Sequence, residues 1–85
     1  MMAVFTLGAD EIRTRQMQAI AEAWGFAGKY DGQERLLQDA KKKKFDTVLV
    51  MDPYALDDSL TAELKSMNIE IISFGDKKRL EKKIL

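Results

Sequence analysis

An 85-residue chain holds one domain and no more, and with 46% hydrophobic and 33% charged residues it is too apolar to stay disordered. Its 14 basic residues balance its 14 acidic ones, so no overall field draws it to nucleic acid or to an anionic membrane. Cys and His are both absent, which excludes disulfides, thiolate metal sites, the usual zinc ligand and the usual general base. No apolar run nears the roughly 20 residues that span a bilayer, and the expected location is cytoplasmic.

The first element is an apolar run, Ala3–Leu7, ended by Gly8 and read as a buried strand. Asp10 then caps a helix reaching Trp24, with Ile12, Met17, Ile20, Ala21 and Trp24 as its apolar stripe. The glycine-rich stretch GFAGKYDG leaves room for a short edge strand around Gly28–Tyr30. A second helix over Gln33–Lys43 buries Leu36, Leu37 and Ala40, and the lysine run Lys41–Lys44 complements the negative end of its dipole. Thr47–Met51 is apolar without alternation, as in a central parallel strand covered on both faces, and Pro53 stops it. Asp57, Asp58 or Ser59 caps a third helix that buries Leu60, Leu64 and Met67, with Asn68 at its exit. Ile69–Phe74 is a further strand. Residues 75–85 form a basic amphipathic C-terminal helix with Leu80, Ile84 and Leu85 on one face.

Strand–helix alternation with continuous apolar strands predicts a single three-layer α/β domain over residues 1–85, a mostly parallel sheet of about four strands flanked by helices. Ligands of such sheets collect at the carboxyl ends of the strands. Here that edge gathers Gly8, Ala9, Asp10 and Glu11, then Asp52, Tyr54, Asp57 and Asp58, then Ser73, Gly75 and Asp76. Neither Ser59 nor Ser73 has a base at a predictable triad position. Neither a GxGxxG nor a GxxxxGK[ST] pattern occurs, and no cofactor is implied. Asp10 and Asp52 are the candidates for a Mg²⁺ site; helix caps and a strand stop explain the same carboxylates.

The segments AIAEAWGF, ERLLQDAKKKKFDTVLV and ELKSMNIEIISF, in that order and spacing, resemble the catalytic domain of serine recombinases, the resolvase, invertase and large serine integrase group. The resemblance runs from about Ala3 to Phe74 and implies a resolvase-like fold. It also implies where chemistry would sit. The family's first strand reads roughly Y-x-R-V-S, and its Tyr, Arg and Ser positions fall on Phe5, Leu7 and Ala9; a shifted alignment puts Gly8 at the nucleophile. The family's L-D-R-L-x-R motif falls on Pro53–Asp58, placing Ala55 and Asp58 where arginines clamp the scissile phosphate and keeping only Leu56. Arg35 matches the arginine of the family's RP signature. An anion in place of a bidentate cation repels phosphate, so the expectation is a domain that is not an enzyme. The family's long dimer helix and DNA-binding domain would lie beyond Leu85.

Three functional readings follow. The first is a catalytically inactive interaction or regulatory module tied to DNA recombination or a mobile element, which self-associates or binds a protein partner through Leu80, Ile84 and Leu85. The second is a nucleic-acid accessory protein docking through Lys77, Lys78, Arg79, Lys82 and Lys83, with Lys41–Lys44 as a further basic stretch. The third is a phosphoacceptor, because FDTVLVMD ending at Asp52, with Asp10 and Glu11 after the first strand, also resembles receiver domains.

Overall fold

A computed structural model describes residues 1–76 and 78–80. The chain runs β1 (Met2–Phe5), α1 (Glu11–Trp24), β2 (Phe26–Tyr30), α2 (Gln33–Lys41), β3 (Thr47–Val50), a 3₁₀ turn (Pro53–Ala55), α3 (Asp58–Ser66) and β4 (Glu70–Ser73), and residues 78–80 are again helical. The strands form one sheet in the order β2-β1-β3-β4, and every neighbouring pair is parallel. The α/β architecture is as expected, with the four strands in a fully parallel sheet.

Side-chain alternation along the strands divides the core into two layers. Met2, Val4, Leu49 and Ile72 pack with Met17 and Ala21 of α1. Ala3, Phe5, Val48 and Val50 point the other way, onto Leu36 of α2 and Leu60 and Leu64 of α3. The chain leaves β1 for β2 on one side and then crosses to β3 on the other. With crossovers of one hand, this reversal puts α1 on one face and α2 and α3 on the opposite face.

Several boundaries differ from expectation, each for a local reason. Strand β1 begins at Met2 and stops at Phe5; Leu7 has turned out of the sheet and is 51% exposed, and Gly8 takes φ 84°. Strand β2 starts earlier, at Phe26. A bulge opposite Met2 and Ala3 takes up Ala27, so that Met2 faces Phe26 and Ala3 faces Gly28. Ile12 is not part of the buried stripe and is 67% exposed. It lies five residues before Met17, which rotates it about 140° away from the sheet-facing side. Helix α2 ends at Lys41, and Lys43, at φ 58°, turns the chain into β3. Asn68, at φ 61°, makes the left-handed exit from α3 that its side chain suits.

The C-terminal segment corrects a second expectation. Leu80 is 4% exposed and belongs to the core layer under α1, so it closes its own domain and is not offered to a partner. Arg79 fastens the segment. Its guanidinium pairs with Glu70 at 2.5 Å and Asp76 at 3.9 Å, and donates to the Ile71 carbonyl at 3.2 Å. Ile84 and Leu85, the other two residues of that apolar face, lie outside the described residues, as do Lys77, Lys82 and Lys83.

Candidate functional site

The strand order places the topological switch between β1 and β3, so the carboxyl ends of these two strands frame the crevice where an α/β sheet ordinarily holds a ligand. Two loops fill it. The turn after β1 carries Leu7, Gly8 and Ala9; the segment after β3 carries Met51 and Asp52 into the 3₁₀ turn. They pack against each other closely enough that a Cβ on Gly8 would lie 3.9 Å from the Met51 side chain. Ala9 and Ala55 are partly buried against opposite core layers, and Asp58 is exposed in the first turn of α3. Leu7, Ala9, Ala55 and Asp58 thus all lie at this edge, and none supplies a hydroxyl nucleophile or a cation.

The carboxylates here hold backbone. Asp10 accepts from the Arg13 amide at 2.8 Å and from the Arg13 guanidinium at 2.8 Å, and that backbone bond is the main reason its carboxyl titrates below the ordinary aspartate range. Asp52 accepts from the Tyr54 amide at 2.8 Å and caps the 3₁₀ turn. The two Mg²⁺ candidates are therefore caps of different elements, and no group of three or more acidic side chains is arranged to hold a metal among the described residues. Asp57 is the N-cap of α3, and a reciprocal clip to Gln33 holds it: its amide donates to Gln33 Oε1 at 2.8 Å, and Gln33 Nε2 donates to Asp57 Oδ2 at 3.2 Å.

Beside the crevice, between α1 and the end of β2, an open groove of about 620 Å³ is lined by Thr6, Asp10, Glu11, Arg15, Lys29, Asp31 and Arg35, among others. Arg15 is paired with Glu11 at 2.7 Å, and the Thr6 hydroxyl donates to the Tyr30 carbonyl at 3.2 Å. Lys29 and Arg35 make no ion pair among the described residues. The groove carries charge of both signs.

Tyr30 anchors this end of the sheet. Its hydroxyl donates to Asp39 of α2 at 2.5 Å, and its ring lies 5.7 Å from that of Phe45. Burial, followed by the neighbouring carboxylate, pushes the Tyr30 hydroxyl up to about 12. The same bond holds Asp39 below its ordinary range.

At the opposite, amino edge a second groove of about 450 Å³ opens between the C-terminal ends of α2 and α3. Met1, Ala40, Phe45, Met67 and Ile69 form its apolar floor, and Lys41, Lys43 and Lys44 stand on its rim. Lys41 reaches Glu63 at 3.8 Å and Lys44 reaches Asp39 at 3.6 Å, both long contacts, and Lys43 has no ion pair among the described residues. Asp46 lines the groove as well; the N-terminal ammonium bonds it at 3.0 Å and is the chief cause of that carboxyl's lowered range. Of the expected nucleic-acid contacts that are described, Lys78 is exposed and Arg79 is engaged with Glu70 and Asp76.

Sequence reasoning missed this groove, the Tyr30–Asp39 bond and the Gln33–Asp57 clip. The clip joins residues 24 apart in the chain, and no local pattern announces it. The groove did leave a trace, an aromatic directly after four lysines, which helix electrostatics had seemed to explain.

Comparison with known proteins adds no relative: no family model matches the chain, and neither a curated protein nor a solved structure matches it.

Proposed function

We propose that the chain is a catalytically inactive domain of serine-recombinase-like type that acts through protein contacts and carries out no phosphoryl transfer. One observation supports this above the others. At the edge where such a sheet does chemistry, the large exposed hydrophobic side chains are Leu7, Ile12 and Tyr54, at 51%, 67% and 92% exposure, while Asp10 and Asp52 serve as caps. Exposed apolar side chains at an edge that lacks catalytic groups favour protein contact over chemistry. Phosphoryl transfer depends on positioned cations around the phosphate, and the positions that the resemblance assigns to them hold Leu7, Ala55 and Asp58. The resemblance would set such a module beside a DNA recombinase.

The test is incubation of the purified chain with supercoiled plasmid and Mg²⁺, followed by mass analysis of the protein and topology analysis of the DNA. The expected result is unchanged protein mass and unchanged DNA topology. A covalent protein–DNA adduct or strand cleavage refutes the inactive reading. Binding to duplex DNA at physiological salt, lost steeply as salt rises, would favour the nucleic-acid accessory reading instead. Mass gain at Asp52 with a small phosphodonor would favour the phosphoacceptor.

A further inference from the structure

The two ends of the sheet are complementary to each other. Tyr54 projects from the segment after β3 at 92% exposure, the most exposed large apolar side chain among the described residues. Asp52, Asp57 and Asp58 surround it in sequence, and none of the three makes an ion pair among the described residues. The amino-edge groove is the converse: an apolar floor under a lysine rim, with about 450 Å³ of space, ample for an aromatic ring. A chain of zero net charge thus has an acidic pole with a protruding aromatic and a basic pole with an apolar recess.

These poles cannot meet within one molecule. They lie at opposite ends of β3, whose four residues span roughly 13 Å. We propose that the chain associates head to tail with a second copy of itself, the 51–58 segment of one copy seating Tyr54 in the Lys41–Lys44 groove of the next. Charge complementarity selects the occupant: three carboxylates without ion pairs among the described residues frame the aromatic, and three lysines rim the recess. Of the lysines, Lys43 has no ion pair among the described residues, and Lys41 and Lys44 make long contacts to Glu63 and Asp39, while Asp46 in the recess is paired with the N-terminal ammonium. Tyrosine suits such a contact because it buries a large ring with few rotatable bonds and keeps its hydroxyl near the polar rim. The contact joins two different surfaces and so is heterologous. It builds chains or rings, not a closed two-fold dimer. This rests on the reading of the domain as an interaction module, but the DNA assay above tests that reading without involving this contact.

The experiment is sedimentation velocity over a concentration series at low and at moderate salt. Wild type is compared with Tyr54→Ser and with the double variant Lys41→Glu/Lys43→Asp, each checked for folding by circular dichroism. Wild type is expected to sediment faster as concentration rises, less so in salt, because exposed charge pairs are screened. Each variant is expected to associate at least about tenfold more weakly than wild type. An equimolar mixture of the two is expected to form a particle of two copies and to stop there. One variant retains the groove and the other retains the tyrosine, so a single contact survives. A wild type that stays monomeric overturns the proposal, even if the groove takes an acidic peptide from another protein. Variants that associate like wild type, or a mixture that stays monomeric, overturn the loop-in-groove contact.

Discussion

The two ends of one parallel sheet differ more than its two faces do. At the carboxyl end, polar side chains are used up in holding loops: Asp10 and Asp52 cap, and Gln33 clips Asp57. The large apolar side chains left exposed there are Leu7, Ile12 and Tyr54, set among exposed carboxylates. At the amino end the arrangement is reversed, with apolar side chains sunk into a recess and lysines left outside. The lesson concerns where to look for function in a small α/β domain. The carboxyl edge is the customary place for chemistry, yet here Asp10 and Asp52 serve as caps, and the apolar recess under a lysine rim is at the other end.

The largest expected effect separates two aromatics at opposite ends. Phe45 is 4% exposed at the amino edge, and Phe45→Ala should cost about 3–5 kcal/mol in urea unfolding, a large share of the stability of a domain this size. Tyr54→Ala at the carboxyl edge should change stability by no more than about 0.5 kcal/mol, because its side chain touches little of its own domain. Equal costs would erase the contrast.

Next comes the tyrosine that ties β2 to α2. An unfolded tyrosine releases its proton near pH 10, whereas Tyr30 in the fold holds it to about 12. Between these values the folded chain binds more protons than the unfolded one, so stability should fall as pH rises from 10 to 12, by about 1–3 kcal/mol in all. Tyr30→Phe should flatten that slope. A slope that survives in the variant would assign it to other groups. On the acid side the sign reverses: stability that Asp39 contributes above its unfolded value is lost as pH falls through its lowered folded value.

The smallest effect concerns the clip. Gln33→Ala removes both hydrogen bonds to Asp57 and should lower stability by about 1 kcal/mol while leaving the oligomeric state unchanged. Amide exchange should quicken first at the start of α3. No change in exchange there would show that the clip does not hold the segment.

Much of this was legible in the sequence where period and local chemistry decide structure. The apolar runs Thr47–Met51 and Ile69–Phe74, which contain β3 and β4, the cap at Asp10 and the left-handed Asn68 all follow from residues within a turn of one another. Ile12 was misplaced because an apolar residue in a helix joins the stripe only if its angle fits, and its angle from Met17 does not. The apolar face of residues 75–85 suggests a partner contact for Leu80; the core layer under α1, visible only in three dimensions, takes it. The Tyr30–Asp39 bond and the amino-edge recess likewise depend on how helices end against the sheet, which no stretch of sequence encodes by itself.

Recognition between the two ends of the sheet in separate copies can be followed by amide NMR spectra of the wild-type chain over a dilution series. Resonances of 51–58 and of 43–46 are expected to move together with concentration, while β1 and the middle of β3 stay fixed. Spectra independent of concentration, or movement confined to one end, would contradict it.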